Sequence, residues 1–312
     1  MSVRLIFMGA PDFAVSVLAS LLHSSCEVAA VYTQSDKRAG RGQKLVSPPV
    51  KEFAMEYGIT VVQPETLKSA EVLRSIAELE PDLIVVAAFG HILPRELLSL
   101  PKYGCLNVHP SLLPLHRGPS PVVHTILCGD RATGVTIILM DEGVDSGPII
   151  AQRAVDLSPE SDAGFLTSEL ASVGGELLRE TLPEWIAGEI EARVQDRAQA
   201  TYSALMSGGE GRMDWHLGAE ELWRRVRAYN PWPGCYTYWK GKRLKVTKVI
   251  PLGNVAEGKV GEVVALLEPV QAGVVVGEGV LGLRELQIEG KRSVSIKDFV
   301  LGRRDFIGSV LT

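Results

Sequence analysis

The 312-residue sequence contains only four cysteines and no long apolar run. Cys26, Cys105, Cys128 and Cys235 are scattered and form no Cys-x-x-Cys pair, which argues against a zinc site and a disulfide framework. No apolar run reaches the ~18 residues that span a bilayer, and the initial MSVRLIF lacks the basic and long apolar regions of a signal peptide. We therefore expect a cytoplasmic protein with reduced thiols, no membrane contact and no metal.

Two fingerprints of common enzyme classes are also missing. The segment FMGAPDF follows the first predicted strand, but it contains Gly9 alone instead of the Gly-x-Gly-x-x-Gly pattern that binds dinucleotides. A tight strand-to-helix turn is the favoured interpretation, and nicotinamide chemistry is disfavoured. Ser111 does not lie in a Gly-x-Ser-x-Gly elbow, which disfavours a serine hydrolase.

The charged residues are unevenly distributed along the chain. Residues 1–206 contain 16 Lys and Arg against 25 Asp and Glu, whereas residues 207–312 contain 16 against 12. The length predicts two domains, and the change in composition places their boundary after residue 206. A basic second domain is typical of a module that contacts a polyanion, although a solvated basic surface has the same composition.

Short apolar runs alternate with helical patterns in the first 206 residues. This alternation predicts parallel β-α-β units, and hence an α/β fold with a Rossmann-like, mostly parallel sheet and helices on both faces. The last two predicted strands are candidates for a hairpin. The predicted strands are 3–7, 28–33, 59–63, 83–89, 105–109, 133–140 and 148–155. The predicted helices are 11–22, 49–57, 66–80, 119–128 and 162–187.

Residues 207–312 have a different pattern. One amphipathic helix covers 218–230, and the segment NPWPG ends it. Short β-rich runs then alternate with glycine and charged turns, at 235–239, 243–250, 260–266, 272–276 and 280–288. This pattern predicts a small open β-barrel, like an OB-fold, as the C-terminal domain.

Asn107 and His109 are the polar residues of the predicted strand CLNVH. Residues i and i+2 of a strand project to the same face, and open α/β sheets bind ligands at the carboxyl ends of their strands. A histidine there can donate, accept and change charge near neutral pH, and an amide can stabilise an oxyanion. From spacing alone, a structural Asn–His pair is the more common interpretation.

The loop MDEGVDSGPI follows another predicted strand and adds carboxylates. We expect one of Asp141, Glu142 and Asp145 to reach the imidazole. An amide, an imidazole and a carboxylate together form an acyl-transfer set without a covalent nucleophile. A solvated turn or a weak metal site explains the same acidic cluster.

Eight segments occur in the order and approximate spacing of one known family: FMGAPDFA, QSDKRAGRGQKL, AAFGHILP, LNVHPSLLP, RGPSPV, TGVTII, DEGVDSGPI and YNPWPG. Over nearly its whole length the sequence resembles the methionyl-tRNA formyltransferase family, within the wider group of 10-formyltetrahydrofolate-dependent transferases and hydrolases. The resemblance implies a Rossmann-like folate domain followed by a tRNA-binding open β-barrel. It also implies formyl transfer from 10-formyltetrahydrofolate to the α-amino group of initiator methionyl-tRNA, for translation initiation, and we expect a monomer.

The resemblance also implies roles for individual residues. Asn107, His109 and Asp145 match the catalytic triad of the family. One departure is at Leu115 and His116, where relatives commonly have Arg and an aromatic residue. The folate-binding segments of the family match Phe89, Gly90, His91, Ile92, Leu93, Ser111, Leu112, Leu113, Pro114 and Asp141.

The segment 34–51 is a basic stretch inside an acidic domain. It has five cations against one carboxylate, Asp36, and we expect a mobile loop because Gly40 and Gly42 disfavour a helix. A solvated surface loop is the interpretation that charge alone favours. The resemblance instead implies contact with the tRNA acceptor stem through Lys37, Arg38, Arg41 and Lys44.

Two alternatives stay open. Formyl transfer to a small amine, such as glycinamide ribonucleotide or a nucleotide-linked amino sugar, is the rival enzymatic function. A non-catalytic RNA-binding module on an inactive folate domain is the rival of another class, but it predicts loss of a triad residue, and none is lost.

Overall fold

The computed structural model describes residues 2–39 and 43–312. The chain divides into two compact units, each with its own sheet. Unit 1 comprises the described residues of Met1–Pro121, Arg131–Leu157 and Leu166–Ala204, and unit 2 comprises Val122–Asp130, Ser158–Phe165 and Leu205–Thr312. Within the described residues, no helix combines the length and apolarity that a membrane crossing requires.

The strands and helices follow most of the predicted pattern. The strands are β1 Arg4–Gly9, β2 Glu27–Tyr32, β3 Lys37–Ala39, β4 Lys44–Val46, β5 Val61–Val62, β6 Leu83–Ala87, β7 Cys105–His109, β8 Ala132–Leu139, β9 Ile149–Asp156, β10 Tyr236–Trp239, β11 Lys242–Leu252, β12 Val263–Ala265, β13 Ala272–Val275, β14 Val280–Ile288 and β15 Val294–Ser295. The helices are α1 Asp12–Leu21, α2 Pro49–Glu56, α3 Ala70–Glu78, α4 Arg95–Leu98, α5 Pro121–Cys128, α6 Ala163–Ala187, α7 Ala219–Ala228 and α8 Ile296–Leu301.

Unit 1 is built on a seven-stranded sheet in the order β5-β2-β1-β6-β7-β8-β9. The pairs from β5 to β7 are parallel, so the predicted Rossmann-like class is confirmed. The strand order reverses between β1 and β6, and the carboxyl ends of the strands at such a switch point form a crevice for ligands.

The sheet ends in an antiparallel hairpin. β8 pairs antiparallel with both β7 and β9, which confirms the hairpin. Because β8 runs against β7, Leu139 at its carboxyl end lies opposite Leu106 near the start of β7. Residues 140–148 therefore start beside the beginning of β7 and fold back toward its side chains, where Asp145 meets Asn107.

Two glycines allow close packing around this sheet. A Cβ on Gly9 would lie 2.6 Å from Ala14 Cβ and 2.8 Å from Ala87 O, so β1 can turn tightly into α1. A Cβ on Gly174 would lie 2.8 Å from a methyl carbon of Val108, so α6 can pack closely on β7. Gly9 thus allows the tight strand-to-helix turn that the sequence analysis favoured over dinucleotide binding.

Unit 2 contains a six-stranded sheet in the order β10-β11-β14-β13-β12, with β15 paired to β14. All of its pairs are antiparallel, which confirms the predicted open barrel. Trp239 packs its ring on Phe299 and Phe306 inside this sheet, with ring centroids 5.8 and 5.4 Å away. The helix α8 that supplies Phe299 was not predicted, because six residues are too few to establish a helical period.

The basic segment 34–51 is more regular than expected. β3 and β4 form an antiparallel pair with Lys37 opposite Val46 and Ala39 opposite Lys44, so the prediction of a loop throughout is wrong for these two strands. Arg41, with its neighbours Gly40 and Gly42, lies outside the described residues.

Candidate active site

Asn107 and His109 lie on β7 and point to the same side chain. Asn107 Nδ2 donates to Asp145 Oδ1 at 3.1 Å, and His109 Nδ1 lies 3.6 Å from the same oxygen, beyond hydrogen-bond distance. The structure therefore brings together the three residues that the sequence proposed as one site, and it selects Asp145 from the three carboxylates of its loop.

The Asp145 carboxylate is fixed at both oxygens. Its Oδ2 accepts a hydrogen bond from the main-chain N–H of Gly118 at 2.8 Å, and Asn107 occupies Oδ1. Asp145 has a φ of +48°, in the left-handed region that is uncommon for residues other than glycine and that concentrates at functional sites. The loop thus holds the carboxylate against β7 in a backbone conformation that is uncommon outside glycine but that Asp adopts more readily than most residues.

The imidazole of His109 faces two acceptors. Its side chain is nearly fully buried, with Nε2 3.1 Å from the carbonyl oxygen of His116 and Nδ1 toward Asp145. Burial lowers the pKa of the His109 imidazole below its usual value, while the Asp145 carboxylate opposes that shift. A neutral ring donates through one nitrogen only, so a neutral His109 can donate to one of these two acceptors and not to both.

The other two acidic residues of the loop have different partners. Asp141 Oδ1 accepts from the N–H of Gly143 at 3.0 Å and from Ser146 Oγ at 2.8 Å, so this side chain caps its own turn. Glu142 forms an exposed ion pair with Arg95 at 3.3 Å, which joins this loop to the segment after β6.

The segment Ser111–Pro114 is hydrogen-bonded to the β8–β9 hairpin. Ser111 Oγ donates to Leu115 O at 2.6 Å, and the N–H of Leu113 donates to Thr136 Oγ1 at 3.1 Å. Leu113 is buried, whereas Leu112 and Pro114 are half-buried. Because the hydroxyl of Ser111 is bonded to a carbonyl and not to a base, it has no activating partner for nucleophilic attack.

The segment 89–93 after β6 has a buried and an exposed part. Phe89 and Leu93 belong to a core cluster of unit 1. Gly90 has a φ of +76°, His91 packs on the Phe89 ring with centroids 4.9 Å apart, and the side chain of Ile92 is 80% exposed. The main chain and an apolar side chain of this segment are thus presented at the carboxyl end of β6.

Arg117 and Gln195 support the site and were not predicted from the sequence. Gln195 Nε2 donates to the carbonyl oxygens of Asp145 and Gly147 at 2.8 and 2.7 Å, and its Oε1 accepts from Arg117 Nη2 at 2.8 Å. Both side chains are buried. Arg117 lies in the quoted motif RGPSPV, which was a usable signal, whereas nothing in the sequence around Gln195 indicates a role.

Three of the four predicted tRNA-binding residues lie on the β3–β4 hairpin. Arg38 and Lys44 are exposed, and Lys37 Nζ donates to Gln34 Oε1 at 2.7 Å. Lys51 pairs with Asp36 at 2.8 Å, and the hydrogen bonds from Lys51 and then Gln63 lower the pKa of that carboxyl. Lys51 and Asp36 thus neutralise each other. Among the described residues of the segment, the excess positive charge is carried by Lys37 and Arg38 on β3 and Lys44 on β4.

A cavity of about 390 Å³ lies beside this hairpin at the carboxyl ends of β1, β2 and β6. It occupies the switch point of the sheet, where ligands of such folds bind. Six of its ten lining residues are apolar, namely Ala10, Pro11, Val46, Pro48, Pro49 and Ala88.

An amide, an imidazole and a carboxylate brought together on a Rossmann-like sheet can stabilise an oxyanion and accept a proton, which is what acyl transfer without a covalent nucleophile requires. The chain belongs to the formyl transferase family. Residues 2–182 match the family model described as formyl transferase, and residues 206–304 match the model described as formyl transferase, C-terminal domain. Members of this family use a folate.

Curated relatives match nearly the whole chain. It is 44% identical to the methionyl-tRNA formyltransferase of Chloroflexus aurantiacus, over 96% of this chain and 96% of that protein. It is 42% identical to the methionyl-tRNA formyltransferase of Bacillus subtilis, over 99% of this chain and 97% of that protein.

Solved structures share the fold at low identity. The sugar 3N-formyl transferase WlaRD matches with a TM-score of 0.63 and 19% identity, over 94% of this chain and all of that one. HypX from Aquifex aeolicus, solved with tetrahydrofolic acid, matches with a TM-score of 0.62 and 18% identity over 98% of this chain. The chain spans about half of HypX, 48% of its length.

Proposed function

We propose that this protein transfers the formyl group of 10-formyltetrahydrofolate to the α-amino group of initiator methionyl-tRNA, as a cytoplasmic monomer. The observation that carries the proposal is the convergence of Asn107, His109 and Asp145 in a chain so similar to curated methionyl-tRNA formyltransferases. The reaction requires no metal for this set of groups, because an amide, an imidazole and a carboxylate suffice to stabilise charge and accept a proton.

The folate is proposed to bind beside the segment 89–93 and the loop that carries Asp145. Ile92 is 80% exposed and Val144 is 58% exposed, and the Arg95–Glu142 ion pair joins the two segments that carry them. An aromatic pterin would cover such apolar side chains and hydrogen-bond to the neighbouring main chain, so the residues fit the group. When bound, the folate supplies an activated formyl carbon.

The protein groups then act on charge and protons. Asn107 uses one amide N–H for Asp145, and its second N–H stabilises the formyl oxygen as negative charge develops there. A direct contact of that oxygen with His109 requires the Nε2–His116 contact to open. Asp145 orients His109 and, directly or through water, takes the proton that the attacking amine releases. The bond from the formyl carbon to N10 breaks as the new bond to the amine forms, and the released proton would pass to N10, so that tetrahydrofolate leaves. An aminoacyl amine titrates near or below the ~8 of a free terminus, so much of it needs no activation.

The acceptor is proposed to lie at the cavity beside the β3–β4 hairpin. The apolar lining, which includes Val46, Pro48 and Ala88, suits an unbranched thioether side chain. The exposed cations of the hairpin, together with Arg41, are proposed to contact the acceptor stem through phosphates and base edges.

A nucleotide-linked amino sugar is the second candidate acceptor, because a sugar N-formyltransferase shares the fold. The deciding experiment offers 10-formyltetrahydrofolate to the protein with methionyl-tRNA, glycinamide ribonucleotide or a nucleotide-linked amino sugar. We expect formylation of methionyl-tRNA. Formylation of either small amine in preference to methionyl-tRNA would overturn the proposal.

A further inference from the structure

Gln34 follows β2, and its side chain joins two segments that the proposed function assigns to different substrates. Its Nε2 donates to the carbonyl oxygen of Phe89 at 2.7 Å, in the segment 89–93 beside which the folate is proposed to bind. Its Oε1 accepts from Lys37 Nζ at 2.7 Å, on the β3–β4 hairpin that is proposed to contact the tRNA. Because a carboxamide carries a donor and an acceptor on one rigid plane, this single side chain links the two segments directly.

The contact with the folate segment is close because residue 90 is a glycine. Gly90 has a φ of +76°, and a Cβ at this position would lie 2.6 Å from Gln34 Nε2. Any larger residue would therefore displace the carboxamide, whereas glycine lets it approach the main chain. Gln34 thus holds the start of the same segment that presents the exposed side chain of Ile92.

The main chain of Gln34 is fixed from a third direction. Gln63, which directly follows β5, donates from Nε2 to the carbonyl oxygen of Gln34 at 2.7 Å and to Asp36 Oδ1 at 2.8 Å. Asp36 also pairs with Lys51 at 2.8 Å. The segment between β2 and β3 is therefore anchored, so a change at either side-chain partner of Gln34 acts on its carboxamide and not on its backbone.

Gln34 also borders the proposed acceptor cavity. Gln34 and Lys37 both line it, as does Ala88, the residue before Phe89. A methionyl side chain in this cavity would lie beside the chain of hydrogen bonds that runs from Lys37 through Gln34 to Phe89. The folate segment, the hairpin and the cavity therefore meet at this one side chain.

We propose that Gln34 is a positioning residue that couples the two substrate sites, so that bound folate strengthens the binding of methionyl-tRNA and bound methionyl-tRNA strengthens that of folate. This inference rests on the proposed function, which supplies the substrate that lies against each segment.

The direction of the coupling follows from the hydrogen bonds. A charged donor on Oε1 polarises the carboxamide and strengthens its donation from Nε2, as in other chains of hydrogen bonds. A lysine loses much rotamer freedom when it is held in one arrangement. A ligand that fixes one end of the Lys37–Gln34–Phe89 chain therefore lowers the entropic cost of ordering the other end. Thermodynamic linkage requires the same factor in both directions.

The test measures the dissociation constant of tetrahydrofolate for the full-length protein by isothermal titration calorimetry, with and without saturating methionyl-tRNA. Tetrahydrofolate carries no formyl group, so no turnover occurs. The ratio of the two constants is the coupling factor, and a variant that merely binds folate less well at all times leaves this ratio unchanged. We expect a factor of about five or more in the wild type, within the usual range for coupled sites.

Two variants break the chain at different places. Gln34→Glu keeps an acceptor for Lys37 but replaces the donor to the Phe89 carbonyl with an oxygen, and Lys37→Met removes the charged donor to Oε1. We expect a coupling factor near one in each. Lys44→Met is the matched control, because it removes one exposed cation from β4 of the same hairpin. It should weaken tRNA binding as Lys37→Met does and keep the wild-type coupling factor.

Circular dichroism and thermal unfolding of each variant verify the fold. A wild-type coupling factor near one overturns the proposal, and so does an unchanged factor in either Gln34→Glu or Lys37→Met. An equal reduction in Lys44→Met overturns it as well, since the loss of charge alone would then explain the effect. If methionyl-tRNA is formylated but the factors fail in one of these ways, only the coupling is wrong. If the factors behave as expected but the wild type formylates no methionyl-tRNA, the proposed function fails and the link through Gln34 stands.

Discussion

Gln195 holds the main chain of Asp145, although fifty residues separate them in the sequence. Its Nε2 donates to Asp145 O at 2.8 Å, and its Oε1 binds the buried guanidinium of Arg117. Gln195 therefore couples the buried guanidinium of Arg117 to the loop that carries Asp145. We infer that Gln195 is a positioning residue for Asp145.

The first prediction separates these two contacts. Gln195→Glu keeps an acceptor for Arg117 but replaces the donor with an oxygen that faces the Asp145 carbonyl. We expect kcat to fall about ten- to a hundred-fold, because small displacements of catalytic groups are costly, with the KM for tRNA little changed. Gln199→Glu is the control, since the Gln199 side chain is exposed and contacts Asp196. An equal loss in both variants, or a change in KM alone, would contradict the positioning role.

The second prediction concerns the three converging side chains. Replacing Asn107, His109 or Asp145 by Ala should lower kcat by about a hundred-fold or more while tRNA binding persists, because these groups act on the transition state. His91→Ala is the control, since that ring packs on Phe89. His116 is a poor control, because its carbonyl contacts His109 and its φ is +57°. Near-normal turnover by His109→Ala would remove it from the mechanism.

The sequence predicts the sheet but not how its last strands lead into the site. Apolar runs identify β8, yet nothing local tells whether it runs with or against β7, because that depends on the length and path of the connection. Residue spacing alone does not distinguish Asp141 from Asp145; the family resemblance assigns the triad position to Asp145, and the folded loop, with Asp145 at a φ of +48°, brings that side chain to Asn107. Gln195 lies in an irregular segment without periodicity, so its bonds to the loop follow from long-range packing.

The third prediction follows from the lowered pKa of His109. In the unfolded chain this histidine titrates near the ordinary value of about 6.5, so between the folded pKa and that value the unfolded state binds more protons. The stability that neutral His109 contributes is therefore fully present above about pH 6.5 and is lost as the pH falls toward the folded pKa.

Urea unfolding of the wild type and of His109→Gln at about pH 7.5 and about pH 5.5 measures this linkage. The stability advantage of the wild type should shrink at the lower pH. In Asp145→Asn the NMR titration of His109 should move to still lower pH, because the carboxylate that raises the pKa is gone. A midpoint above that of an ordinary histidine would contradict the assignment.

The fourth prediction concerns the β3–β4 hairpin. Arg41→Ala and Lys44→Ala should slow formylation of initiator methionyl-tRNA, and each lost phosphate contact should reduce the salt slope of binding by about one. Lys68→Ala is the control, since Lys68 is exposed outside the hairpin. Trypsin should cut the hairpin readily in free protein, and bound tRNA should protect it. Equal cleavage with and without tRNA, together with an active Arg41→Ala protein, would indicate that this segment is an ordinary solvated surface with no role in tRNA binding.

The last prediction tests the cavity with two adjacent residues. Val46 lines the cavity and is 49% exposed, whereas its neighbour Leu45 is 66% exposed and is not part of the lining. Successive side chains of a strand point to opposite faces, so the same substitution at the two positions alters two different surfaces.

Val46→Asp places a carboxylate against the proposed site of an apolar methionyl side chain, where it loses solvent when the acceptor binds. We expect the KM for methionyl-tRNA to rise about ten-fold or more, because desolvating an unpaired polar group costs at least about 1–3 kcal/mol. Leu45→Asp adds the same charge to the hairpin, so it controls for repulsion of the tRNA backbone. Steady-state kinetics at fixed folate concentration distinguishes the two. Equal increases in KM would mean that charge repulsion explains the effect, and the methionyl side chain would then have to be sought elsewhere in unit 1.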